Sequence, residues 1–446
     1  MLNPDLVKTL DSLMVKAKKF GAEEADAIVT YGRSLSVSVR GGALEDIDNS
    51  EGRDVGLRVI IGGRQACVSS SDVSDHSLEQ LAERATAMAK LAPIDPYCGL
   101  PDKVVDDVSV AKFDLSDNHI LSPEALKARA LEIESAAITV KGVAQAMGSS
   151  ASFSHGDFAF GNSRGFRAGW SSSQHGISTA AIAEKGGAME RDYDYAACRH
   201  FSDLPDPLKI GRTAGERAVA RLGAQKIASG AMPVIYDARK AGSLVGALLS
   251  AINGNSITRG VSFLKDKMDQ QILPKYMNLI DDPHMPRGLA TRPCDGEGVD
   301  VARRALIEDG ILKTWLLNTS TARQLDSVST GHATRSVSSP PGVGFSNAYI
   351  EPGYLSPEAL FKDTGHGLLV TDMFGPNVNA NTGDYSVGVS GFLIENGQVG
   401  KPVSEITVAG NLLDMFKTLT AANDLKFKST VNAPTLRIEG MMVAGL

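Results

Sequence analysis

The sequence predicts an α+β protein in two parts: an N-terminal domain of mainly antiparallel sheet with helices over residues 1–228, and a C-terminal β-rich, barrel-like domain over residues 229–446. Three observations carry this. The order helix, meander, helix occurs twice in the first half, which reads as an internal duplication or as one α+β unit on a single sheet. Residues 237–255, DARKAGSLVGALLSAINGN, hold the best-formed amphipathic helix in the chain. After it the composition turns to Gly, Asn, Ser, Thr and Pro with short apolar runs, as expected of closely spaced strands joined by long loops.

Residues 1–21 predict an amphipathic helix, opened by Asn3-Pro4 and closed by Gly21. Period-two stretches follow at residues 25–31, 35–40, 55–61 and 65–69, separated by turn signals such as Gly41-Gly42 and Gly62-Gly63. A helix over about 77–91 ends before Pro93 and Pro96. The order then repeats: Ser122-Pro123 opens a helix to about 139, alternation recurs at 144–151, 157–161, 165–172 and 177–184, and a closing helix spans about 207–227. Ala228-Ser229-Gly230 marks the domain boundary, just before a strand at 233–236.

In the 237–255 helix the apolar residues Ala241, Leu244, Val245, Leu248, Leu249 and Ile252 form one stripe, so this face is expected on a core. Asp237 is its expected N-cap and Asn253-Gly254 its stop. Gly242, Gly246 and Ser250 recur every fourth residue beside the stripe, allowing close approach by a second surface, with internal packing the favoured reading over contact with a partner. Further strands are expected at 305–307, 311–317, 367–370, 387–394 and 436–442, and helices at 322–325, 356–362 and 411–422.

Composition narrows the functional classes. A formal charge of -7 spread along the chain argues against a nucleic-acid partner, which would need a basic footprint. The cysteines Cys67, Cys98, Cys198 and Cys294 are scattered singly, as in a reduced cytoplasmic protein without a disulfide framework. The opening helix is interrupted by charges, unlike a signal peptide, and no run reaches the about 18 apolar residues of a membrane span.

Motifs for catalysis are missing: there is no GxSxG, no phosphate-binding glycine loop, and no HxH or HxxxH among the eight histidines. Gly62-Gly63 and Gly186-Gly187 read as hairpin turns. The carboxylate pairs Asp281-Asp282 and Glu308-Asp309 read as solvated turns rather than acid/base pairs. Two stretches ask for more. Residues 371–397 contain an Asn/Gly-dense loop before a tight strand, and residues 336–347, SVSSPPGVGFSN, are long for a connection. Either they are turn chemistry, or they line a groove whose amides pair with an extended peptide. The groove candidates are Asn379, Asn381, Thr382, Gly383, Asp384 and Ser386.

Residues 382–416, TGDYSVGVSGFLIENGQVGKPVSEITVAGNLLDMF, resemble the C-terminal signature of the TldD/PmbA family, and GNSRGF (161–166), DGEG (295–298) and IEDGILKTWLLNTSTAR (307–323) fit the same family. The chain resembles its PmbA (TldE) branch. The resemblance implies a cytosolic TldD/TldE heterodimer that degrades unfolded or flexible peptides, trims a microcin precursor and acts on an antitoxin. It further implies that the TldD-type subunit holds zinc through the two histidines of HExxxH and a distant Cys, with the Glu as general base.

Aligned on the preceding strand, that motif falls near Val245, Gly246 and Ser250, none of which is a zinc donor beyond one weak hydroxyl. The C-terminal segment VNAPTLRIEGMMVAGL offers no Cys. The expectation is therefore a chain with no catalytic residue, no metal and no cofactor of its own. It would be the partner of a zinc-bearing HExxxH subunit around an extended peptide, away from nucleic acid and membranes. A stand-alone peptidase with an unrecognised site, a regulatory module for gyrase or a toxin–antitoxin pair, and a homodimeric peptide holder are the alternatives.

Overall fold

The computed structural model describes residues 3–106 and 108–446. The first half runs α1 (Pro4–Lys19), β1 (Glu24–Arg40), β2 (Ala43–Ile61), β3 (Arg64–Ser70), α2 (Asp75–Leu91), α3 (Pro123–Ile138), β4 (Val143–Asn162), β5 (Arg167–Lys185), β6 (Ala188–Cys198) and α4 (Pro207–Ala220). The unit helix, three strands, helix thus occurs twice. Its six strands form one antiparallel half-barrel in the order β3-β2-β1-β4-β5-β6, with β1 and β4 side by side at the centre.

The helices cover one face of this sheet in two separate pairs. Ala27, Val29, Val55, Leu57 and Val59 pack under α1 and α2, whereas Val37, Val39, Ala151 and Ile177 pack under α3 and α4. Between the pairs the strands cross an uncovered belt in which Gly32 is in register with Gly52 on one side and Gly156 on the other. That belt corrects the sequence reading. Residues 25–31 and 35–40 are one strand, as are 144–151 with 157–161 and 165–172 with 177–184, because alternation fades only where no helix covers the sheet. Residues 43–54 of β2 are exposed on both faces and so show no periodicity. Helix α4 stops at Ala220 instead of about 227, with Gly223 at φ +82 beyond it.

The second half runs β7 (Gly230–Tyr236), α5 (Ala238–Ala251), α6 (Gly254–Thr258), β8 (Leu279–Asp282), β9 (Arg304–Glu308), β10 (Ile311–Leu312), α7 (Thr319–Gln324), β11 (Ala333–Thr334), β12 (Gly342–Val343), β13 (Asn347–Ile350), α8 (Pro357–Thr364), β14 (Gly367–Val378), β15 (Asp384–Glu395), β16 (Gln398–Asn411), α9 (Leu412–Lys417), β17 (Thr420–Ala421), β18 (Val431–Asn432) and β19 (Leu436–Ala444). Strands β7, β14, β15, β16 and β19 close into a barrel through the β16–β19 pairing. A second sheet, β10-β9-β8-β13-β18, shares one apolar core with it. The strand expected at 311–317 shortens to β10 and the helix expected at 411–422 to α9, because residues 420–421 pair with β19 instead. Among the described residues no helix is long and apolar enough to cross a membrane.

Two buried ionic seams join the halves. In the first, Asp26 on β1 is shared by Arg58 on β2 and Arg335 from the second half, whose Nη2 lies 2.7 Å away. In the second, Asp192 on β6 meets Arg221 at 3.3 Å and Arg239 on α5 at 2.8 Å, and Arg221 reaches Asp372 on β14 at 3.5 Å. Arg221 also hydrogen-bonds Ser390 on β15.

Removing one member of such a seam strands the others in a low-dielectric setting. Arg221→Ala is expected to destabilise the protein by about 3–5 kcal/mol, against less than about 1 kcal/mol for removing the exposed Lys417–Asp414 pair. Urea denaturation of both variants checks this.

Candidate functional site

Helix α5 is positioned by its sequence. The side chain of Asp237 caps it, accepting the Arg239 N–H at 2.6 Å, and Ala241, Leu244, Val245, Leu248 and Leu249 are buried in the core. Asn253 does not simply end it, because its side chain caps α6 by accepting from the Asn255 N–H at 2.9 Å. Of the small residues beside the stripe, Gly242 faces the protein, where a Cβ would stand 3.1 Å from the Val431 carbonyl oxygen. A Cβ at Gly246 would meet nothing within 4 Å, and Ser250 is exposed. Internal packing thus holds for the first of the three, while the other two face open space.

That open space is a groove of about 460 Å³. Its floor is α5, through Ser243, Gly246, Ala247, Ser250 and Ala251. Its walls are Val261, Phe263, Met373, Val378, Ala380 and Tyr385. Opposite the helix runs the later part of β14. Strand β7 pairs with β14 only at Leu368, Leu369 and Val370, after which the chain turns into α5. Beyond that point Asp372, Met373, Phe374, Asn377 and Val378 pair with β15 alone, with a break in register between Phe374 and Asn377, so the other edge of β14 is left without a strand among the described residues. A helix with a small-residue floor therefore lies beside a free strand edge, an arrangement able to receive an extended chain by main-chain pairing.

The charged groups stand at the head of the groove. Lys240 pairs with Asp372 at 2.8 Å and donates to the Tyr193 hydroxyl at 2.9 Å. Burial opposes the charge on Lys240, but Asp372 and Tyr193 outweigh it and raise its pKa. Burial likewise pushes Asp372 up, and the Lys240 ammonium overcomes this, so that Asp372 sits below the usual carboxylate range. Arg239, despite burial, is raised further by Asp237 and Asp192. Among the described residues the only titratable group lining the groove is Tyr385, whose phenol burial pushes up to about 12. The groove is uncharged at neutral pH.

The positions named from sequence divide. Gly246 and Ser250 line the groove, but Val245 points into the core with 1% exposure. Moved on by one residue, to Gly246, Ala247 and Ala251, the motif frame places all three on the groove, and all three remain without donor atoms. Asn379, Asn381, Thr382, Gly383, Asp384 and Ser386 stand at the β14–β15 hairpin beside the groove, yet none lines it. Asn379 Oδ1 accepts from the Asn381 N–H at 3.0 Å, Thr382 donates to Asp384 at 2.6 Å, and Gly383 takes φ +80. Ser386 lies within β15 opposite Ala409. The side chains of this loop hold the turn, and its contribution to the wall is Val378, Ala380 and Tyr385.

Other readings also change. Asp281 is no solvated turn residue: it is 2% exposed, lies 3.3 Å from His332 Nε2 and accepts the Ser346 N–H at 2.7 Å. Burial would raise its carboxyl, but His332 and Ser346 hold it below the ordinary range. The 336–347 stretch packs on the first half at its start, with the Val337 carbonyl oxygen 2.0 Å from where a Cβ on Gly56 would lie, and on the second half at its end, through β12 and Asn347 of β13. Gly62-Gly63 and Gly186-Gly187 do form the β2–β3 and β5–β6 turns at positive φ. Phe263 and Met373 were missed as lining residues, since they come from a loop and a strand distant in sequence. An isolated Phe or Met carries no positional signal there.

Zinc would need three nitrogen, thiolate or carboxylate donors in tetrahedral reach. The groove provides serine hydroxyls, a protonated phenol and the thioether of Met373, a set that does not fit that ion. Among the described residues no three His, Cys, Asp or Glu side chains gather as a metal-binding group.

Comparison with known proteins covers nearly the whole chain. Residues 25–89, 117–222 and 229–445 match domain 1, the central domain and the C-terminal domain of the PmbA/TldA metallopeptidases. The chain is 37% identical to the metalloprotease PmbA of Escherichia coli O157:H7, over 97% of this chain and 94% of that one. It is 35% identical to a PmbA homologue of Haemophilus influenzae, over 96% and 94%. A crystal structure of a candidate modulator of DNA gyrase from Bacteroides thetaiotaomicron superposes with a TM-score of 0.91 at 26% identity, covering both chains fully. TldE from Thermococcus kodakarensis shares the fold, with a TM-score of 0.86 at 22% identity over 98% of this chain and all of the other.

The two glycines of α5 are expected to respond differently to a methyl group. Gly246→Ala should stabilise the protein by about 0.5–1 kcal/mol, because it lowers the entropy of the unfolded chain and meets no neighbour. Gly242→Ala should gain less or lose, since Val431 must give way. Equilibrium denaturation of the two variants decides it.

Proposed function

This chain belongs to the PmbA/TldA metallopeptidase family, and from that premise we propose that it is the non-catalytic subunit of a two-chain zinc peptidase of the TldD/TldE type, acting in the cytoplasm on unfolded or flexible peptides. One observation carries the reading. The groove between α5 and β14 has the layout of a peptide cleft, yet the helix that should present the metal ligands presents Gly246, Ala247, Ser250 and Ala251. A groove without donors cannot activate water for attack on an amide, so bond cleavage is assigned to a zinc-bearing HExxxH sibling.

What this chain's own residues can do is bind and orient. Main-chain groups left without a strand partner between Asp372 and Val378 can pair with a substrate backbone, apart from the Met373 N–H, which Asp372 Oδ1 already accepts, and Pro376, which has none; such pairing removes conformational freedom before the bond is presented to the sibling. Lys240 and Asp372 neutralise one another at the head of the groove, leaving no net charge to attract one class of peptide terminus. Peptide maturation of the microcin type and antitoxin degradation are activities of the proposed pair, not of this subunit alone.

The reading is tested by purifying the chain alone and together with an HExxxH-bearing family member, then measuring bound zinc by elemental analysis and cleavage of an unstructured peptide. Cleavage and stoichiometric zinc are expected only with the sibling present. Zinc binding and chelator-sensitive cleavage by the chain alone would overturn it.

A further inference from the structure

We infer that the hollow over α5 is a selective pocket for one uncharged apolar side chain, aromatic or long aliphatic, of an extended peptide paired with the free edge of β14. This rests on the reading of the chain as a peptide-holding subunit and adds which residue the peptide must offer.

The floor supplies the first reason. The five positions by which the helix lines the hollow, 243, 246, 247, 250 and 251, are Ser, Gly, Ala, Ser and Ala, so the helix surface is depressed where larger side chains would fill it. A space of about 460 Å³ is within the range of ligand pockets, about 300–1,000 Å³. The walls supply the second. Phe263, Met373 and Tyr385 offer ring edges and a polarisable thioether, and Val261 and Val378 stay 37% and 38% exposed at the rim. Phe374, next along the free edge, is 51% exposed. Apolar surface left open around a concavity is what an apolar ligand covers. The third reason is the lack of charge. A carboxylate or ammonium placed here would lose its hydration with no partner, because no charged side chain lines the hollow, and Lys240 and Asp372 at its head satisfy one another.

The backbone geometry selects a peptide over a free small molecule. Side chains of a strand added to the β14 edge point alternately to its two faces. One of them turns towards the helix floor, which lies alongside that edge: Ser243 Oγ is 3.5 Å from Met373 Sδ. The hydroxyls of Ser250 and Ser256 remain at the rim for polar groups of the same peptide.

The experiment measures binding of a set of unstructured hexapeptides, identical except for Phe, Leu, Asp or Lys at one central position, to the full-length chain alone and in complex with its sibling. The wild-type chain is expected to bind the Phe and Leu peptides about tenfold or more tighter than the Asp and Lys peptides. Gly246→Leu, which projects a side chain into the open hollow, should abolish that difference while far-ultraviolet circular dichroism stays unchanged. Ser250→Leu, on an exposed position of the same face, should reduce it and guards against an unfolded first variant. Equal affinity for all four peptides, or a preference untouched by Gly246→Leu, would overturn the pocket. Loss of sibling association in Gly246→Leu with peptide preference intact would also overturn it, showing that the sibling fills the hollow. Cleavage by the lone chain with the preference present would support the pocket and defeat only the non-catalytic reading.

Discussion

The charged seam around Asp192 sets the geometry on which the groove depends. Asp192 lies on the last strand of the half-barrel, Arg221 just past α4, Arg239 and Lys240 in the first turn of α5, and Asp372 where β14 parts from β7. Buried ions are expensive to desolvate, and their attraction offsets this only in a narrow range of geometries. Such a seam therefore fixes angles more than it adds stability. It ties the start of α5 to β14 through Lys240 and to the other half of the molecule through Arg239. The spacing between helix and free strand edge is thereby linked to the placement of the N-terminal sheet.

A second seam also joins that sheet to the C-terminal half. Asp26, Arg58 and Arg335 form it, and Glu297 of the DGEG stretch lies close enough for its charge to favour that on Arg58. Burial pushes both Asp295 and Glu297 up, and backbone N–H groups are their hydrogen-bond donors: Ala333, Val299 and Glu297 for the first, Thr319 for the second. In isolation two raised carboxyls would suggest acid/base chemistry. Here they sit against a loop and the N-terminus of α7, with Phe166 packed on Gly298, and the arrangement is that of a clamp between halves.

Much of this was legible from local pattern. The stripe on α5 and its Asp237 cap follow from residues within one helix, and the repeated helix, meander, helix order survives although its strands are longer than the alternation indicated. What could not be read depends on contacts far apart in the chain. Asp192 and Arg221 are 29 residues apart, and Arg221 and Ser390 are 169 apart, with no spacing to announce them. The helical phase was readable only to within one residue: a one-position shift turns a side chain by about 100°, which is why Val245 falls in the core and Gly246 in the groove. The loop at 379–386 stood out for its Asn and Gly content, but hydrogen-bonding side chains in a tight turn serve the turn first.

The floor of the groove is harder to explain as mere loss of a metal site. A helix released from ligand duty gains most by filling the vacated positions, since glycine inside a helix is less stable than alanine by about 0.5–1 kcal/mol and an open apolar hollow forgoes packing. Gly242 has a steric reason to be glycine, because the Val431 carbonyl stands against it. Gly246 has none: no atom lies near its missing Cβ and its backbone is ordinary helix. Ala247 and the exposed Ser250 line the same hollow beside it, while Ala251 at its end is also part of the core. Internal packing therefore does not account for the depression at Gly246, and the free edge of β14 alongside supplies the remaining requirement of a binding site: something for the rest of the ligand to hold.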